Sequence, residues 1–545
     1  MSLPAQIIPP LPEQTAQVAK QAFRKGNIYL TIGDEIGMIF KNEDFADLYA
    51  REGKPAIPPY ILAMVLIFQY MENLSDREAA DAVRARIDWK YALHLPLEDA
   101  GFDFSVLSEF RDRLLANEAE MRMFEQVLQR LVDLGLLKKG GKQRTDSTHV
   151  LSASRRLSRL EMVMETVRMA LESLATVAPS WLQEHGEKDW YERYRRHWRS
   201  SRVPKGKKEQ EALLFQVAAD GYMLMERLAG EAEGLRELEA VVRLQQIWEQ
   251  TFEQTKEGIR LRRKSKASLG SETIVTPHDP EARRSVHGEQ EWHGYRVHWT
   301  ESCDEDAPRL VTDVRMVPAT TPDVKLTLEI QDALAERNLA PSQHLLDAGY
   351  VAGHIIEESW EKHRIDVLGP IGRNTSWQAR TGGITLDQFQ IDWENEVATC
   401  PQGHRSSTWS QSSSDFGQPV VHIRFSKKVC DACPVRTRCT RAKNSGRSLK
   451  VLKTFPTIQK ARQRQEEDAF WKDYRHRAGV EGLVSVAAND KGMRRSRYIG
   501  QAKTALQALL TAMAINLERA ALWLQGYRPA PPRRDKLQCL APQPA

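Results

Sequence analysis

A chain of 545 residues is too long for one hydrophobic core and calls for three or four units. Hydrophobic residues at 41% against 28% charged exclude a disordered or fibrous chain, and the longest mostly apolar run, residues 60–71, is about half of what a membrane span needs. The net charge of +5 does not by itself mark a nucleic-acid binder.

Residues 1–12 lack the charged-then-apolar pattern of a secretory signal, so the cytoplasm is the expected location and no membrane partner is expected. Residues 1–135 read as helical. Pro58-Pro59 opens the apolar stretch, Ser75 and Glu78 have capping-box spacing for a helix running to about Ile87, and Asp103-Phe104-Ser105 leads into another. Short capped helices suit a DNA-binding or dimerisation unit, and equally a plain bundle. Lys138–Gly141 closes this part, and a strand with one carboxylate, Asp146, follows over 143–151. Long helices are expected over 160–174 and 212–253. Their link alternates aromatic and basic residues: Trp190, Arg193, Tyr194, Arg195, Arg196 and Trp198. Such a stretch can stack on bases and bind phosphates, or it can form a hairpin tip packing its aromatics inward.

Strand signals return at 294–300 and 310–317, a helix at 324–337, and further strands at 344–346 and 365–368. Strands alternating with helices predict an α/β sheet. Residues 372–455 are polar and cysteine-bearing and read as an insertion. Helices are expected again over 458–488 and 502–525, with a disordered tail after Tyr527. Basic residues cluster in 193–208, 260–266, 436–453 and 491–503, where they would neutralise phosphates locally.

Two groups of residues carry chemistry. Asp146 sits in the first strand, Asp347 at the end of a central one, and Glu481 on a late helix. Three convergent carboxylates can hold the Mg²⁺ ions that phosphodiester cleavage needs, because Mg²⁺ takes oxygen ligands and keeps part of its water shell. Tyr474, Arg477 and Glu481 stand at i, i+3 and i+7, so all three are expected to project from one helical face. Separately, Cys400, Cys430, Cys433 and Cys439 fall in one window, with His404 able to replace one of them. A C-x2-C pair plus two outlying thiols satisfies tetrahedral Zn²⁺, here a structural ion, since thiolates suit Zn²⁺ and carboxylates suit Mg²⁺.

With Thr145-Asp146-Ser147-Thr148, Asp347-Ala348-Gly349-Tyr350 and Tyr-x2-Arg-x3-Glu at Tyr474, Arg477 and Glu481, the chain resembles insertion-sequence transposases of the DDE class. His293–His298 and Arg494–Tyr498 also look like segments of that family. The resemblance implies an RNase H-like α/β core, built from 136–154, 268–371 and 456–526. It would be interrupted by a helical insertion (155–267) and a zinc-binding one (372–455), preceded by an all-α domain (1–135) and followed by a tail (527–545). It further implies binding of terminal inverted repeats, cleavage, and transfer of the freed 3′-hydroxyl to target DNA. The catalytic ion would be Mg²⁺, with Mn²⁺ substituting. Double-stranded DNA and a homodimer or larger assembly would be the partners, and the site of action the bacterial nucleoid. The rival readings are an RNase H-like nuclease that cuts without joining and a non-catalytic, transposase-derived DNA-binding protein. One departure is visible: the family's later Lys falls on Ala488, so Lys491, Arg494 or Arg495 is expected to take over its phosphate contact.

Overall fold

The computed structural model describes residues 1–3, 8–195, 204–230, 233–262, 272–287, 290–413 and 417–528. Its central element is a mixed sheet. Strand β1 (Gly140–Leu151) is followed by a small hairpin, β2 (Phe252–Thr255) and β3 (Gly258–Leu261), that lies outside this sheet. Then come β4 (Arg283–His287), β5 (Gln290–Ser302), β6 (Val311–Pro318), β7 (Pro341–Leu345) and β8 (Asp366–Leu368). The order is β4-β5-β1-β7-β8, and the long β5 also pairs with β6 through its second half. Pairing is antiparallel for β1, β4, β5 and β6 and parallel for β1-β7 and β7-β8. The path β6-β5-β1-β7-β8, three antiparallel strands and then two parallel ones, fits the expected RNase H-like core. Parallel neighbours need crossovers, and helices Leu326–Glu336 and Gly353–His363 lie on those connections.

The sheet does not close its core alone. Val150, Tyr295, Val297 and Trp299 share one continuous buried cluster with helices from both ends of the chain. Helix Pro59–Met71 opens with proline at its first position and buries all its residues. Helix Gln501–Leu524 packs against both that helix and β6. It is fastened there by Asn516, whose amide accepts from the Val311 N–H at 2.6 Å and donates to its carbonyl at 2.8 Å. The helices before residue 135 thus form where expected, but their main core is continuous with the sheet's.

Two expected helices are broken. The stretch 212–253 divides into Lys207–Ala229, Glu233–Arg236 and Glu239–Thr251 around Gly230, with the β2-β3 hairpin beyond. Together with helix Arg159–Val177 these form a second core of their own. The stretch 458–488 divides into Phe455–Gln465, Asp468–Tyr474, a 3₁₀ turn Arg475–Gly479, Val480–Ser485 and a π turn Val486–Asp490. The cysteine-bearing segment has a small core of its own. It carries β9 (Gln390–Asp392), β10 (Val397–Thr399), β11 (Thr408–Ser413), β12 (Pro419–Arg424) and β13 (Ser448–Leu452) around a small cluster that includes Phe389, Ile423 and Val451. Among the described residues no helix is long and apolar enough to cross a membrane.

Candidate active site

Strand register builds the site. In the parallel pair, Gln143 lies beside His344 and Arg144 beside Leu345. The ladder ends there, and two residues further along each chain segment stand Asp146 and Asp347, with 200 residues between them in sequence. Asp146 accepts from the Ser147 N–H at 2.8 Å and Asp347 from the Gly349 N–H at 2.7 Å. The Nη2 atom of Arg477 lies 2.9 Å from Asp146 Oδ1 and 3.6 Å from Asp347 Oδ2, so one cation bridges both carboxylates. Burial, with Asp347 and Asp323 nearby, holds the Asp146 carboxyl above its usual range, while Arg477 pulls it back.

Arg477 is placed by residues the sequence reading passed over. On paired strands Arg144 faces Glu301, and both side chains are buried, with Nη2–Oε1 at 2.6 Å. Arg519 reaches the other Glu301 oxygen at 2.7 Å. Arg144 also donates to the His476 carbonyl, and Gly479 leaves it room, since a Cβ there would collide with the guanidinium. A buried ion pair therefore clamps the 3₁₀ turn onto the sheet and aims Arg477 at the acids. No local signal marks the pair: Arg144 stands between Gln143 and Thr145, and Glu301 between Thr300 and Ser302. Tyr474 stacks on Phe470, with centroids 5.8 Å apart, and burial raises its phenol.

Glu481 is placed differently. Val480 and Leu483 bury their side chains and the short helix packs against β1, but Glu481 is exposed and makes no ion pair among the described residues. Among those residues no group of three or more His, Cys, Asp or Glu is arranged to hold a metal ion. The structure brings together Asp146, Asp347, Arg477 and Tyr474, while Glu481 is exposed and outside these contacts. Asp323, which opens the short turn before helix Leu326–Glu336, also stands near the pair. Its Oδ1 takes Arg296 Nη1 at 2.7 Å.

The basic candidates separate. Lys491 is not a phosphate contact: its ammonium is buried, bonded to the Met71 carbonyl at 2.5 Å and to Glu518 at 2.6 Å. Ala488, where the signature cation would stand, is buried too. Arg494 and Arg495 are exposed beside the end of β1, where Leu151 donates to the Arg494 carbonyl at 3.0 Å. In the aromatic–basic stretch, Trp190 and Tyr194 pack inward, the Tyr194 hydroxyl bonding Asp220 at 2.6 Å. Those two rings cannot stack on bases. Arg195 is exposed, and Arg196 and Trp198 lie outside the described residues.

Cys400, Cys430, Cys433 and Cys439 line one cavity of about 30 Å³ together with His404. Turns place them: Cys433 N–H bonds the Cys430 carbonyl at 3.2 Å, and the Arg447 N–H points at Cys430 Sγ at 3.4 Å. Burial, with the other three thiols nearby, raises the Cys439 thiol. The thiols converge in kind and number, though not at metal-ligand distance.

Two family models match the chain. One, a transposase DDE domain, covers residues 399–521, and the other, a transposase domain (DUF772), covers residues 17–113. The first contains the cysteines, Tyr474, Arg477 and Glu481, and neither reaches Asp146 or Asp347. No curated protein and no solved structure matches the chain.

Proposed function

We propose that this chain, two parts of which match transposase family models, is an insertion-sequence DDE transposase that binds the terminal inverted repeats of its element, cuts the backbone there and transfers the freed 3′-hydroxyl to target DNA. The observation that carries this reading is that Asp146 and Asp347, each two residues past the end of the β1-β7 ladder, share a single bridging cation. That arrangement fits Mg²⁺: the donors are hard oxygens, few in number, and a positive charge is already stable between them. Asp146, Asp347 and Glu481 would hold the ions, with Mn²⁺ able to substitute. Bound there, the metal supplies charge neutralisation for the attacking and leaving oxygens of an in-line phosphoryl transfer.

The chain's own residues do the rest. Arg477, once the carboxylates are neutralised otherwise, is free to grip an oxygen of the scissile phosphate. Tyr474, braced by Phe470, borders the same position. Glu481 is exposed on a short helix that packs against β1 through Val480 and Leu483, and it would have to turn towards the pair to join it. Arg494, Arg495 and Arg195 are exposed cations for the DNA backbone, and Arg196 and Trp198, outside the described residues, are proposed for the same role from their sequence alone. Both ends of an element must be held at once, so a homodimer or larger assembly on double-stranded DNA follows, in the cytoplasm at the nucleoid. The four thiols suit a structural Zn²⁺ by type and number.

The test is to incubate the protein with DNA carrying the ends of its element and a target plasmid, with and without Mg²⁺. Metal-dependent cutting together with joined product is expected. Cutting without joining would make it a nuclease, and binding without cutting a non-catalytic derivative.

A further inference from the structure

Beside the acidic pair lies a cluster that the proposed chemistry does not use. His298, on β5, is fully buried. Its Nδ1 pairs with the Tyr350 hydroxyl at 2.5 Å, and its Nε2 has no hydrogen-bond partner. That nitrogen is aimed at Asp323, 3.9 Å from Oδ1, too far for a bond. Burial and Arg296 push the imidazole down to about 3, so it is neutral. With Nδ1 accepting from Tyr350, Nε2 carries an unmet N–H directed at the carboxylate. Asp323 is gripped on Oδ1 by Arg296 at 2.7 Å. Its Oδ2 faces the other way. A Cβ added at Gly349 would fall 3.2 Å from Asp323 Oδ2 and 3.0 Å from Asp347 Oδ1, so the two carboxylates flank the same glycine. Asp323 thus stands at the rim of the Asp146–Asp347 pair, oriented by a cation and faced by a buried donor.

We propose that Asp323 is a positioning residue of the catalytic centre: anchored by Arg296, its carboxylate places charge beside Asp347 and raises the affinity of the Asp146–Asp347 pair for a divalent cation. The proposal rests on that pair being the metal-holding site. A carboxylate just beyond ligand distance adds attraction for a doubly charged ion without adding a ligand. Arg296 keeps Asp323 from collapsing onto the ion, and His298 lies ready to stabilise it from the far side.

The test uses full-length protein and reads Mn²⁺ binding directly, from loss of the free-ion electron paramagnetic resonance signal, in the absence of DNA. Asp323→Asn keeps shape and removes charge. It should raise the half-saturating Mn²⁺ concentration roughly tenfold, with the metal-free melting midpoint unchanged and Asp323→Glu recovering most of the affinity. In cleavage of end DNA, the loss should be large at limiting Mg²⁺ and much smaller at saturation. A purely structural residue would move the melting midpoint and leave the metal dependence alone. Asp347→Asn is the control. If it abolishes Mn²⁺ binding while Asp323→Asn binds like wild type, the role of Asp323 is overturned and the site stands. If Asp347→Asn also binds like wild type, the site itself is misread. Should Asp323→Asn not fold, Asp323→Ser, which removes the charge without an amide to place, is read in the same way.

Discussion

The end of the β1-β7 pair and the cysteine-bearing insertion both gather potential ligands, but by opposite means. Asp146 and Asp347 are far apart in sequence and neighbours in space because a backbone ladder makes them so. Nothing needs to bind for that geometry to exist, and a buried ion pair beneath it holds Arg477 across the two acids. The cysteines lie close in sequence, on turns and two short helices, Lys427–Asp431 and Arg436–Cys439. Their surroundings bury few side chains, with Phe389, Ile423 and Val451 among the main ones. A core of that size gains from a cross-link, whereas the sheet does not need one. Removing a ligand should therefore cost chemistry in the first region and structure in the second.

The largest effect expected is on catalysis. Asp347→Ala should lower cleavage of end DNA by roughly three orders of magnitude or more, since a metal ligand contributes several kcal/mol to the transition state. Its melting midpoint should not fall, because a carboxylate repelling Asp146 has gone. Binding to the same DNA, read by mobility shift, should persist. A variant that melts early or still cuts would break the contrast between the two regions.

Next in size is the clamp. Arg144→Met leaves Glu301 fully buried with only Arg519 beside it. Breaking a buried pair in this way costs about 3–5 kcal/mol. The 3₁₀ turn would lose its anchor at the His476 carbonyl, so cleavage should fall along with stability. Denaturant unfolding and cleavage measured on the same preparation decide it; stability equal to wild type would mean the turn is held by Val480 and Leu483 alone.

In the insertion the effects should be smaller and local. Cys433→Ser, or a chelator, should expose the segment 400–450 to limited proteolysis. The melting midpoint of the sheet should move little, and the cleavage rate per folded molecule should stay near wild type. Elemental analysis showing no zinc in wild type, with proteolysis unchanged by the substitution, would leave the thiols as ordinary packing groups.

How much of this was legible beforehand follows the same division. The strand carrying Asp146, the Asp-x-Gly turn after β7 and the Tyr-x2-Arg spacing were readable because each is local: alternation, a turn residue, a helical repeat. The C-x2-C pair was readable for the same reason. What escaped depends on long-range pairing. Arg144 opposite Glu301 needs the β1-β5 register, and Asp323 beside Asp347 needs the sheet to be assembled. Lys491 looked like a surface cation, but tertiary packing buries it on Glu518. The 458–488 stretch breaks at several points, one of them the turn Arg475–Gly479, where the missing Cβ of Gly479 leaves room for the Arg144 guanidinium, which no periodicity reveals.

The smallest effect expected is a dependence of stability on pH, and it again divides the two regions. His344 lies on β7, fully buried, with its Nε2 2.7 Å from Thr145 Oγ1 and its Nδ1 3.3 Å from the Gln331 amide nitrogen. Both nitrogens are satisfied in the neutral ring: Nε2–H donates to Thr145 and Nδ1 accepts from Gln331. Burial pushes its titration down to about 3. An unfolded histidine takes up its proton near pH 6.5, so between about 6.5 and 3 the unfolded chain binds a proton that the folded one refuses. The contribution is therefore complete above about pH 6.5 and is lost as pH falls towards 3, at about 1.4 kcal/mol per unit, or about 2 kcal/mol by pH 5. His298, also held at about 3, adds a similar loss. His344→Gln should remove about half of the difference between urea midpoints measured at pH 7 and pH 5 that the two rings produce together. In the insertion the proposed Zn²⁺ would be released as its thiolate ligands take up protons, so proteolysis of 400–450 should rise at pH 5, equally for wild type and His344→Gln. A His344→Gln protein with the full wild-type pH dependence would show that the ring reaches solvent, and that the ladder beneath the acidic pair is looser than its hydrogen bonds imply.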